Sequence, residues 1–181
     1  MHPRSRIRQA VVAALLGKTG AGSRVFASRT RPLASRQLPA IGVYALSEEA
    51  DHQRTSPRTY ERILQLAVDV ITWEDAGLDA ALDQLCVEIE AVLLPDPTLG
   101  GACEDFTYRR AEINLLPAQS SDPGKGAALL VFEATYSTDQ PTPSLDDFRT
   151  AVAGWDLAPE PDGVPEAVDT ITLPQPDEEE A

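Results

Sequence analysis

Between Tyr60 and Trp73 the chain alternates. Leu64, Leu66, Val68 and Val70 fall on one side of an extended backbone, and Ile63, Ala67 and Ile71 fall on the other. Successive side chains of a strand point to opposite faces, so this spacing predicts a long strand. From Gly77 the period changes. Leu78, Leu82, Leu85, Ile89 and Leu93 recur at three- and four-residue steps, while Asp79, Asp83, Glu88 and Glu90 lie elsewhere on the same helix. Pro95 stops it. A chain that must bury one face of a strand and one stripe of a helix folds as packed layers.

The remaining elements follow the same two periods. Ile7, Val11 and Leu15 predict a helix over Ser5 to Leu16, ended by the run Gly17-Lys18-Thr19-Gly20-Ala21-Gly22. Val25-Phe26-Ala27 reads as a short strand, Arg29 to Gln37 as a basic loop, and Leu38 to Leu46 as a second strand. Glu48 to Pro57 reads as a polar loop. Glu104 to Leu115 and Ala127 to Ser137 read as strands on either side of a turn at Pro117 to Lys125, with Leu130, Phe132, Ala134 and Tyr136 sharing a face.

The fold class expected is α+β: a mixed, largely antiparallel sheet with two main helices packed on one face, plus a Pro-rich acidic C-terminal arm. Helices with one apolar stripe cover only one face of a sheet. Ile63, Ala67 and Ile71 are therefore left for solvent or a neighbouring subunit. Beyond Asp139 the prolines Pro141, Pro143, Pro159, Pro161, Pro165, Pro174 and Pro176 break any long element, and Asp177 to Glu180 is wholly acidic. Two regions are expected, a domain over 1–138 and an acidic extension over 139–181, ordered mainly where it touches something. In the extension Ser144 could cap a short helix through Val152, and Asp169 to Leu173 could form a strand.

The net charge of −14 is unevenly spread. Through Arg62 there are 11 Lys/Arg against 4 Asp/Glu; from Ile63 onward there are 4 against 25. One basic and one acidic end favour head-to-tail matching in a ring or stack. No stretch nears the roughly 18 apolar residues of a membrane span, and no membrane partner is expected. The basic start Met1-His2-Pro3-Arg4-Ser5-Arg6 leads into a segment interrupted by Arg8 and Gln9 without a small-residue cleavage site, so it reads as a helix of the mature protein.

Residues able to do chemistry are few. Gly17-Lys18-Thr19 lacks the glycine five residues earlier, where Val12 stands, and follows a helix, so it is a helix stop and no phosphate loop. His2 and His52 have no third ligand nearby, and neither a metal nor a cofactor is expected. Cys86 lies beside the helix stripe as core packing. Cys103 follows a Gly-Gly loop and is expected to be exposed, with no histidine to activate it; both cysteines read as reduced, in a cytoplasm. The acid pairs Glu48-Glu49 and Glu74-Asp75 suit solvated or capping roles. No catalytic triad can be assembled, and the expectation is a non-enzyme. Arg24, Arg29, Arg31 and Arg36 form the single basic cluster. Without interleaved aromatics in an acidic protein it does not suit free nucleic-acid binding. It suits contact with an acidic protein surface, or a channel through which DNA passes as cargo.

Taken in order, several segments resemble the tail terminator proteins of long-tailed bacteriophages, the minor tail protein U type. These are Ile7-Arg8-Gln9-Ala10-Val11-Val12, Ala21-Gly22-Ser23-Arg24-Val25-Phe26 and Leu38-Pro39-Ala40-Ile41-Gly42-Val43-Tyr44 with the acidic stretch after it. Tyr60-Glu61-Arg62, Val87-Glu88-Ile89-Glu90, Thr98-Leu99-Gly100-Gly101 and Ala134-Thr135-Tyr136-Ser137-Thr138 complete the series. The likeness runs from Arg4 to about Thr138. It implies a virion protein, assembled in the bacterial host cytoplasm, that forms a hexameric ring on the end of the tail tube. Such a ring stops tube polymerisation and meets the head-tail connector. Its partners would be further copies of itself, the tail tube protein and the neck proteins. The alternatives are another neck component such as a stopper or head-completion protein, a small enzyme using Cys103, or an unrelated cytoplasmic oligomeric interaction domain.

Overall fold

The computed structural model describes residues 1–29, 33–74, 77–116, 124–141, 149–156, 165 and 167–172. The chain divides into two compact units, Met1–Gln140 and Pro141–Ala181. In the first, helix α1 (Pro3–Leu15) precedes strand β1 (Val25–Ala27), a 3-10 turn (Ser35–Gln37) and strands β2 (Ala40–Thr55) and β3 (Arg58–Glu74). Helix α2 (Leu78–Leu93) and strands β4 (Asp105–Leu116) and β5 (Gly124–Asp139) follow. The second unit holds β6 (Thr150–Trp155) and β7 (Ala167–Thr172), an antiparallel pair.

The five-stranded sheet runs β1-β2-β3-β5-β4, parallel only between β1 and β2 and antiparallel elsewhere. It is the mixed, largely antiparallel sheet expected for this chain. Cross-strand partners share a face, so Ile41, Val43, Val68, Val70, Leu66 and Phe132 meet on one side. On that side lie Ile7, Val11 and Leu15 of α1 and Leu82, Leu85, Ile89 and Leu93 of α2, in one buried cluster. Each fully buried aliphatic or aromatic side chain there contributes about 1.5–3 kcal/mol of apolar transfer. α1 packs with β1 and β2, α2 with β3 and β5. Both helices thus sit on a single face.

The helix ends obey local chemistry. His2 caps α1, its Nδ1 accepting from the Arg4 N–H at 3.2 Å. Gly17, at φ 72, carries the chain away from the end of α1, the helix stop that its sequence predicts. The Gly20 N–H donates to Glu88 Oε2 at 2.7 Å, tying this loop to α2.

Three expectations need correcting. Residues 48–55 are not a loop: β2 runs on to Thr55 and pairs with β3 down to Arg58, forming a long hairpin. Polar side chains such as His52 and Arg54 are tolerated because the backbone ladder, not burial, holds this stretch; its residues from Glu49 to Thr55 are exposed. The helix expected to end at Val152 is not formed there. Val152 lies in β6, opposite Thr170, while 142–148 fall outside the described residues. Thr150 and Val152 are β-branched, and such residues favour the strand. Finally, Cys103 is buried. The strand expected at Asp169–Leu173 is present as β7. Most of the turn expected at Pro117–Lys125 lies outside the described residues, and its last residue, Lys125, belongs to β5.

Candidate functional site

No helix covers the other face of the main sheet among the described residues. β3 places Ile63, Ala67, Asp69, Ile71 and Trp73 on it, and β5 adds Leu129 and Val131 as their partners or neighbours. Ile63 and Trp73 are 38% and 36% exposed. Ala67 and Val131 are buried among their neighbours, so the face is only partly open to solvent. Asp69 sits in the middle of it, where burial pushes its carboxyl above the ordinary value.

Toward β1 this face is built around Gly42. A Cβ there would lie 2.6 Å from the Tyr44 ring, so only glycine lets that ring fold back across the strand. The Tyr44 hydroxyl donates to the Arg29 carbonyl at 3.2 Å, and the Arg29 guanidinium lies 4.7 Å above the Phe26 ring, a cation–π contact. Burial and then the charge of Asp69 push the Tyr44 phenol up, while Arg29 pulls it the other way. At the far side Arg109 Nε meets Glu133 Oε2 at 2.6 Å.

The basic cluster is divided by this geometry. Arg24 and Arg29 flank β1 and are both half-buried; Arg24 Nε donates to the Pro39 carbonyl at 2.7 Å. Arg36 stands exposed in the 3-10 turn, and Arg31 lies outside the described residues. Arg24 and Arg29 therefore shape the loop as well as charging it, and of the three described cations Arg36 is the exposed one.

A further cluster has no signal in the sequence. Between Ala45 and Ser47 the register of β2 slips, and the bulge turns Glu48 toward the helix side opposite Leu64. Its side chain is 8% exposed, accepts from Arg62 Nη1 and the Tyr136 hydroxyl, each at 2.8 Å, and forms an ion pair with Arg4 Nε at 3.0 Å. Arg62 Nε reaches Thr138 Oγ1 at 2.7 Å. The cluster clips the start of α1 to β2, β3 and β5. Residue type alone makes Glu48 half of a solvated acid pair, and only the bulge reverses that.

Cys103 lies inside the loop that enters β4, its thiol 3.5 Å from the Thr98 carbonyl. Burial, then the charges of Asp105 and Asp96, push it up to about 11. At neutral pH its thiolate is about 100-fold scarcer than that of an ordinary cysteine, and only the thiolate is nucleophilic. In the folded protein iodoacetamide should label Cys103 about 100-fold more slowly than after denaturation, as followed by mass spectrometry; equal rates would mean an accessible, activated thiol. Among the described residues no three His, Cys, Asp or Glu side chains gather as a metal site.

No protein-family profile matches the sequence, and no curated protein sequence matches it either. Among solved structures, a chain of the "Virion of native gene transfer agent (GTA) particle" superposes with a TM-score of 0.44 at 16% identity. The match covers 75% of this chain and 97% of that one. A likeness so slight leaves function to be argued from the residues themselves.

Proposed function

We propose that this chain is the subunit of a ring, a hexamer in the family it resembles, that caps the tail tube of a phage-like particle. The ring ends tube polymerisation and offers its far side to the head connector. The observation that carries this reading is the half-covered sheet. One face is sealed by α1 and α2, while the other presents the partly exposed Ile63 and Trp73. A partly exposed sheet face that carries apolar side chains such as Ile63 and Trp73 suits contact with other proteins. The ordered series of segments from Arg4 to Thr138 points the same way.

The mechanism is physical and involves no covalent step. Binding would cover the growing end of the tube, and a ring face unlike the tube's would recruit no further tube subunit. Contacts within the ring and with the tube would strengthen each other, since each positions the groups that make the other.

The test is electron microscopy of particles from which this protein is removed. Tails of uncontrolled length are expected, and adding purified protein to bare tubes should cap them. Tails of normal length would refute the reading. Protein that decorates tail-less heads and ignores tubes would instead assign it to the neck.

A further inference from the structure

A cavity of about 480 Å³ lies where the loop after α1, the entry to β2, the end of β3 and α2 come together. Its size admits a small organic ligand or a long side chain. One wall comes from α2. Ala81, Gln84, Leu85 and Glu88 follow at three- and four-residue steps and so share a face of that helix. Leu38 and Pro39 close the cavity from the β2 side.

Two polar groups in it have bonding capacity to spare. Glu88 accepts from the Gly20 N–H at 2.7 Å and from Gln84 Nε2 at 3.0 Å, one bond to each oxygen. Both donors are neutral amides. An ionised carboxylate has about four lone-pair sites, so about two stay free. α2 carries Asp79, Asp83, Glu88 and Glu90 and no Lys or Arg, so the wall brings no cation of its own. Lys18, Arg24 and Lys125 stand in the surrounding elements, but none of them lines the cavity or pairs with Glu88. Arg24 is turned instead to the Pro39 carbonyl. Thr72 lines the cavity from β3 and is 3% exposed, yet its hydroxyl makes no hydrogen bond among the described residues. A buried hydroxyl without a protein partner is costly, and a polar group that reaches it recovers that cost.

We infer that this cavity binds a guanidinium or ammonium group carried on an apolar stem, the chemistry of an arginine or lysine side chain or of a free alkyl cation. The Glu88 carboxylate takes the charge, the Thr72 hydroxyl oxygen accepts an N–H, and Leu38, Pro39, Ala81 and Leu85 pack along the stem. Glu88 repels an anion. A wholly apolar guest would strip water from Glu88 and Thr72 without replacing its hydrogen bonds. The inference does not depend on the ring reading above.

Ligand-observed NMR titration of the full-length protein tests it, with n-butylguanidinium as the probe and n-butylurea as its neutral near-isostere. The cation should bind at least about tenfold more tightly than the urea. Glu88→Gln keeps an acceptor for the Gly20 N–H and should erase that preference. Thr72→Val should weaken the cation about threefold. Ala81→Leu fills the cavity from the helix wall and should abolish binding. Asp83→Asn removes an exposed carboxylate of the same helix outside the cavity and should leave binding unchanged. Thermal melts of each variant report that the fold is kept. A capped Ala-Ala-Arg-Ala-Ala peptide that binds about tenfold more tightly than the free cation would assign the guest to a protein's arginine. A peptide that binds no better would assign it to a free alkyl cation. Equal binding of cation and urea, a loss in Asp83→Asn as large as in Glu88→Gln, or no binding of the cation in the millimolar range would overturn the inference.

Discussion

Phe132→Ala should lower the stability of the first unit by about 3–5 kcal/mol, the range for a large aromatic cut from a tight core. Phe132 is fully buried in the middle of β5. Its ring stacks on Phe106 at 4.9 Å between centroids and meets Tyr108 edge-on at 5.4 Å. Its strand partners are Leu66 on one side and Tyr108 on the other. The stacked pair spans the β4–β5 junction. Truncation opens a void that Phe106 alone cannot fill and removes an aromatic pairing beyond the area term. Phe132→Leu keeps most of the volume and should cost much less. Denaturant titration checks both: the midpoint should fall while the slope with denaturant holds. A loss under about 1 kcal/mol for the alanine variant would mean that this site is not close-packed, and the pairing of Phe132 with Tyr108 across β4 and β5 would be wrong.

How far the sequence reveals this fold depends on which physical term holds each part. The β3 alternation and the α2 stripe are legible because burial there is decided residue by residue, and burial of apolar area is written into residue type. The end of β2 is not legible. His52 pairs with Tyr60 and Arg54 with Thr59 through backbone hydrogen bonds that any residue can make, leaving polar side chains outside. The same blindness hides the Ala45/Ser47 bulge, and with it the inward turn of Glu48. Cys103 is expected outside and found inside because its burial comes from a loop geometry fixed elsewhere. Asp96 accepts from the Thr98 and Gly100 N–H groups, Leu99 takes φ 50, and the chain folds back over the thiol. In the candidate surface, the presence of the Arg24–Arg36 cluster can be read directly. The Pro39 carbonyl and Phe26 ring that tether two of its members cannot, since they arise only once β1 lies beside β2.

Glu48→Gln should destabilise the first unit by about 1–3 kcal/mol at neutral pH, and the loss should vanish in acid. The variant keeps an acceptor for the Tyr136 hydroxyl but removes the charge that Arg62 and Arg4 face. Arg4 is 47% exposed, so solvent screens most of its share, and the effect rests chiefly on Arg62 and Tyr136. Burial alone would raise the Glu48 carboxyl. The hydrogen bonds from Arg62 and Tyr136 and the charges of Arg4 and Arg62 outweigh it, and the folded pKa lies below the ordinary value. Tyr136, desolvated and bonded to that carboxylate, is pushed far up and stays a donor across the accessible range. A carboxyl whose pKa is depressed on folding adds stability in full above its unfolded pKa and loses it as pH falls through the folded one. Melting temperatures of wild type and variant should therefore run parallel above the usual glutamate range and converge below it. Curves that keep a constant separation down to strong acid would show that Glu48 acts by shape alone. The ionic clip between α1 and the β2–β3 hairpin would then have to be given up.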